Sequence, residues 1–237
     1  MSITSADKQL GSGRLGLRLG VLAGGALAAA LMLAACGGGS GPIARVQQVG
    51  GPSESSPRYP GAIVLPQPAP KPDITLTDTA GQPYDLPAQT AGKVMLLYFG
   101  YTHCPDVCPI NMALTARAVQ DMPASMRSKV TVVFITTDPR RDSPTVIRAW
   151  LNKFDPAFVG LTGTVAQIHA AETTVGMPLS FATEASTPSA GAYEVVHAGY
   201  LLGYSQDNVA HLQIDDSETA SNYATTLEHL VAHGFQT

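Results

Sequence analysis

Cys104-Pro105-Asp106-Val107-Cys108-Pro109 is the segment most capable of chemistry. Two cysteines at i and i+4 follow an apolar run and precede a helical pattern, and on the first turn of a helix that spacing puts both side chains on one face. Their Cα atoms would lie roughly 6 Å apart, within reach of a disulfide, and equally suited to clamping a soft ion. The helix N-terminus, with free N–H groups and the positive end of the dipole, favours thiolate over thiol. Thiolate is the form that binds a soft metal or attacks a disulfide. A purely structural staple gains little from so short a loop, and Pro105 and Pro109 stiffen it beyond what a staple requires. Two sulfurs also make only half of a structural zinc set.

A soft ion on two thiolates needs a third ligand, and six histidines are available: His103, His169, His197, His211, His229 and His233. His103 adjoins Cys104 and is expected to point away from the clamp. His229 and His233, at i and i+4 on the last helix, form a possible second pair, although surface helix histidines usually bind nothing. His197, at a strand end before Ala198-Gly199, ranks only slightly ahead of the others on spacing alone.

The elements that must position these groups follow a mixed α/β pattern from Asp73 onward. Ile74 and Leu76 alternate with polar residues before the turn Asp78-Thr79-Ala80-Gly81, which predicts an opening hairpin. Val94 to Phe99 and Val130 to Ile135 are continuous apolar runs, as in strands buried on both faces. Helices are expected over Pro109 to Asp121, from the Ser143-Pro144 cap to about Phe154, over Thr164 to Val175, and from Asp216 or Ser217 to Gly234. Short strands are expected at Phe158 to Leu161, Tyr193 to His197, Tyr200 to Tyr204 and Val209 to Ile214. The order predicts a central mixed β-sheet flanked by helices, with an N-terminal β-hairpin extension: an α/β outline of thioredoxin-like type.

The chain has 237 residues, 45% hydrophobic and 14% charged, with a formal net charge of −4. It is too apolar to be disordered throughout and lacks the basic excess of a nucleic-acid binder. Three cysteines exclude a disulfide-dense scaffold. The third, Cys36, has its own explanation. Lys8, Arg14 and Arg18 precede an uncharged apolar run from Leu19 to Ala35, and Leu33-Ala34-Ala35-Cys36 matches a bacterial lipobox. Residues 1–35 are thus expected to be a lipoprotein signal peptide and Cys36 the lipidated first residue. The mature chain would carry 11 basic and 17 acidic residues and face the periplasm, anchored to a bacterial membrane. Residues 36–72, rich in Gly, Ser and Pro, are expected to be a flexible tether with a soft boundary where Tyr59 to Leu65 can pack on the domain; residues 73–237 are expected to form the folded domain.

Tyr98 to Pro109, YFGYTHCPDVCP, resembles the signature of the Sco/SenC family of copper proteins. Asp138 to Pro144, DPRRDSP, is similar to that family's D-P-x-R-D-[ST]-P segment, and Phe158 to Thr164 to its V-G-L-T-G-T segment. The resemblance implies a thioredoxin-like fold, membrane tethering, and assembly of the dinuclear copper A centre of cytochrome c oxidase. It also implies copper, as Cu(I) or Cu(II), held by Cys104, Cys108 and His197. The family's D-H-[ST] segment here reads Val196-His197-Ala198, so the acid and the hydroxyl that flank the ligand are missing. Asp106, Asp138 and Asp142 are candidates for supporting the ligands or contacting a partner, Asp142 equally for a cap or salt bridge. The expected function is a monomeric copper metallochaperone that does not turn over, with the copper A-bearing oxidase subunit as partner. The rival is a thiol–disulfide oxidoreductase in which Cys104 and Cys108 form the redox pair. Nothing near Cys104 marks a peroxidase pocket.

Overall fold

The computed structural model describes residues 56–184 and 193–237. The expected signal peptide, Cys36 and most of the expected tether lie outside the described residues. Among the described residues, eight strands form one sheet: β1 (Ile63–Pro70), β2 (Thr75–Asp78), β3 (Pro83–Asp85), β4 (Val94–Gly100), β5 (Val130–Thr136), β6 (Val159–Thr162), β9 (Leu201–Tyr204) and β10 (Val209–Ile214). Their spatial order is β1-β10-β9-β4-β5-β6-β2-β3, with β4, β5 and β6 parallel and the other neighbours antiparallel. The β2–β3 hairpin extends the sheet beyond β6. Strands β7 (Phe181–Glu184) and β8 (Tyr193–Val196) form a separate two-stranded ribbon.

The apolar run of β4 is continuous because both faces of the sheet are covered. Val94, Leu96 and Tyr98 point into one core with Met112 of α2 (Val107–Asp121), Ile147 and Trp150 of α4 (Pro144–Leu151), and Leu227 and Leu230 of α6 (Ala220–His233). Met95, Leu97 and Phe99 point into the other, with Leu86 of α1 (Leu86–Gln89) and Ile168 of α5 (Val165–Thr174). A short helix α3 (Ala124–Arg127) precedes β5. The expected Ser143 cap forms, accepting from the Val146 N–H, and α5 has in addition a reciprocal capping box of Thr164 and Gln167.

Three expectations need correction. Residues 63–70 are not tether but strand β1, paired with β10. Its prolines at 66, 68 and 70 suit an edge strand, where a missing N–H costs no ladder bond, and the pairing register shifts between Val64 and Ala69. Tyr59 is buried, stacked on Phe235, so the expected packing of the segment from Tyr59 on the domain does occur and runs on beyond Leu65. Helix α6 starts after Thr219, not at Asp216 or Ser217: the Asp215 carboxylate accepts the N–H and hydroxyl of Ser217, closing a local turn, and Thr219 accepts the Asn222 N–H as cap. Helix α2 starts at Val107, two residues before Pro109. Proline is tolerated there because N–H groups of the first turn have no intrahelical acceptor.

Candidate metal centre

Cys104 ends the loop that leaves β4, and Cys108 lies in the first turn of α2. His197 lies one residue beyond β8, a ribbon whose buried Val195 alternates with exposed Val196. Residues 195 and 197 therefore share the inward side. The Sγ atoms of Cys104 and Cys108 and a ring nitrogen of His197 all lie within 4.8 Å of one another. Cys104 and His197 line a depression of about 520 Å3 whose rim includes Tyr101, Asp106 and Val196, with Cys108 buried behind them. Neither cysteine is in a disulfide.

The two sulfurs differ. Cys104 is half-buried, and its Sγ accepts the Cys108 backbone N–H at 3.5 Å. It therefore caps α2 in place of Asp106, whose side chain makes no cap. A hydrogen bond from the Cys108 thiol, aided by the N–H groups of Asp106 and Cys108, outweighs burial and lowers the Cys104 pKa to about 4. Cys108 is fully buried. Burial, then the hydrogen bond and charge of Cys104, push its pKa above the ordinary thiol range. The pair thus rests as one thiolate and one thiol. The Tyr98 hydroxyl donates to Cys108 Sγ at 3.5 Å, and a Cβ at Gly100 would lie 3.0 Å from the same sulfur and 2.6 Å from the Tyr98 ring. Only glycine lets α2 set its cysteine this close to β4.

His197 is held by its ring. Tyr98 and Tyr101 meet it edge-on, at centroid distances of 6.0 and 5.5 Å. Its Nδ1 lies 2.9 Å from the Ala198 carbonyl oxygen, which only accepts. Nδ1 therefore carries the proton, and the Nε2 lone pair is left for the site, 3.4 Å from Cys108 Sγ. A backbone carbonyl thus orients the ring, the task that a carboxylate performs for many metal-bound histidines. Asn111 of α2 donates to the Gly199 carbonyl at 3.0 Å and ties this loop to the cysteine helix.

The acids of Asp138 to Ser143 hold the two halves of the centre from below. Asp142, fully buried, accepts the Thr102 N–H at 2.9 Å and the hydroxyls of Thr102 and Thr136 at 2.6 Å each, fixing the loop before Cys104. Asp138 pairs with Arg141 and accepts the Tyr193 hydroxyl at 2.7 Å. The Arg141 guanidinium lies 3.6 Å over the Tyr193 ring and donates to the Tyr193 carbonyl, bracing the start of β8. Both acids are buried and internally paired, which removes them from partner contact; Ser143, not Asp142, caps α4. Asp106 remains exposed.

The other histidines lie apart from the sulfur pair. His103 is turned toward Thr102 and Asp142, His169 bonds the Ser180 carbonyl, and His211 bonds Asp207 and stacks on Phe235. The sequence reading missed Tyr98, Gly100 and Tyr101 as parts of the site, although all three fall within its signature segment. It also missed the Arg141–Tyr193 brace, which joins positions 52 apart.

Residues 66–232 match the SCO1/SenC family model. The chain belongs to the SCO1/SenC family. It is 42% identical over 100 residues to protein SenC of Rhodobacter capsulatus, covering 38% of this chain and 45% of SenC. Matches to three further curated relatives span 31% to 66% of their lengths. Among solved structures, copper-bound ScoI of Bradyrhizobium japonicum is 30% identical, with a TM-score of 0.60 over 68% of this chain and 99% of that one. Apo Sco1 of Thermus thermophilus is 27% identical, with a TM-score of 0.61 over 75% and 99%. The mixed sheet flanked by helices is the thioredoxin-like fold of these Sco structures.

Proposed function

We propose that this chain is an extracytoplasmic copper metallochaperone. Cys104, Cys108 and His197 hold Cu(I) or Cu(II), and the protein delivers it to the copper A-bearing subunit of cytochrome c oxidase. The carrying observation is the convergence of two sulfurs and one ring nitrogen within 4.8 Å. Two thiolates suit Cu(I), and an added imidazole admits Cu(II). The copper-bound state of ScoI supports the choice of metal. The delivery step rests on the family resemblance. Tethering through lipidated Cys36 rests on the lipobox; among the described residues no helix is long and apolar enough to cross a membrane.

The test is a copper titration of the reduced protein with optical detection. One copper per chain with thiolate-to-Cu(II) charge-transfer bands is expected. His197→Ala weakens copper binding sharply and leaves dithiol exchange largely intact; unchanged copper affinity in that variant overturns the chaperone reading. Loss of membrane association in Cys36→Ala tests the anchor.

One observation favours a second activity at the same residues. A half-exposed thiolate beside a buried thiol is the asymmetry that thiol–disulfide exchange requires. Reduction of the oxidase subunit's cysteines before metallation is the corresponding reaction.

A further inference from the structure

Helix α6 carries His229-Leu230-Val231-Ala232-His233, two imidazoles at i and i+4. They line a depression of about 880 Å3 that shares no lining residue with the one at Cys104, Cys108 and His197. Their ring centroids are 5.0 Å apart. Histidines at this spacing on one helix face form a bidentate metal clamp. On its other side, His229 is met by the edge of the Tyr59 ring, 5.3 Å between centroids at 86°, which limits its motion. Its Nε2 is shielded from solvent and has no hydrogen-bond partner. A buried, unpaired ring nitrogen on a ring otherwise fixed by packing lacks the ligand that would compensate its desolvation.

Met126 and Glu228 also line this depression, and imidazole is the common preference of copper and zinc. Arg58 also lines it, its guanidinium donating to the carbonyl oxygens of Gln236 and Thr237 at 3.2 and 2.7 Å. That fixed positive charge opposes a dication and makes the clamp weaker than a thiolate site.

We propose that His229 and His233 form a second metal site for a borderline first-row cation such as Cu(II), independent of the sulfur centre. The site exchanges its ion readily and uses nitrogen donors, so its spectrum differs from that of a thiolate complex.

The experiment titrates Cu(II) alone into the full-length Cys104→Ser/Cys108→Ser chain, followed by electron paramagnetic resonance and competition with a weak chelator. One Cu(II) with a nitrogen-dominated signal is expected. Adding His233→Ala, an exposed position that does not disturb packing, lowers the affinity at least tenfold, and His229→Gln does the same. Adding His197→Ala leaves it unchanged. Absence of binding in the Cys104→Ser/Cys108→Ser chain, or equal affinity with and without His233→Ala, overturns the proposal. Neither result bears on copper binding by the intact cysteine pair.

Discussion

The carboxylate of Asp142 receives both the backbone N–H and the hydroxyl of Thr102, at 2.9 and 2.6 Å, with Thr136 as a third donor. One buried side chain thus fixes the backbone two residues before Cys104. Asp142→Ala leaves an amide and two hydroxyls without their acceptor. The expected loss of stability is about 3 kcal/mol, read by urea unfolding, with weaker copper binding by the folded fraction. Asp142→Asn, which turns two donors toward groups that donate, falls between wild type and alanine. An unchanged unfolding midpoint in Asp142→Ala contradicts this role.

Reactivity of Cys104 reports its depressed pKa. A thiol held near 4 is thiolate throughout the neutral range and gains its proton only as pH falls through that value. Alkylation by iodoacetamide at Cys104, followed by peptide mass spectrometry, is expected to be nearly flat from pH 8 to 6 and to drop toward pH 4. An unperturbed cysteine loses most of its rate over the first of those intervals. Cys108 stays unmodified while the fold persists. A Cys104 profile that falls steadily below pH 8.5 refutes the assignment.

Gly100→Ala introduces a methyl group 3.0 Å from Cys108 Sγ and 2.6 Å from the Tyr98 ring. The neighbours must move, at a cost of about 1–3 kcal/mol. Because one of them is a proposed ligand, the optical bands of the Cu(II) complex shift as well. Identical spectra and stability show that the strand and helix yield without moving the sulfur.

Tyr193→Phe removes the hydroxyl bound to Asp138 but keeps the ring beneath Arg141. A loss of about 1 kcal/mol is expected, with copper affinity little changed. Arg141→Met removes the ion pair, the bond to the Tyr193 carbonyl and the cation–π contact together, and is expected to destabilise more and to loosen His197. The difference is measured by thermal unfolding and copper competition on both variants. Equal effects contradict a brace centred on the guanidinium.

The parts of the fold legible in the sequence are those set by local chemistry. The apolar runs of β4 and β5, the Ser143 cap and the Asp78 to Gly81 turn each carry their own signal. Strand β1 was illegible because three prolines resemble a linker; only its position at the sheet edge makes them acceptable. Strand β7 has all four residues exposed, so neither alternation nor an apolar run announces it. At the site, spacing identified the cysteine pair but barely distinguished His197, which reaches the sulfurs across 89 positions. The resemblance singled it out. The carbonyl of Ala198 explains how its ring is oriented with Val196 and Ala198 flanking it. Asp138 and Asp142 were singled out as supports for the ligands, and they are; the way they act was not legible, because their partners Tyr193 and Thr102 lie on distant elements.

Cys104 stands at the mouth of the depression, whereas Cys108 is walled in by Tyr98, Gly100 and His197. A visiting disulfide meets the outer sulfur first. In any thiol–disulfide exchange here the Cys104 thiolate would attack it, expelling one of the visitor's sulfurs as thiolate and leaving a mixed disulfide; Cys108, from behind, would then displace the remaining sulfur and close a Cys104–Cys108 disulfide, so the visitor leaves reduced and the pair oxidised.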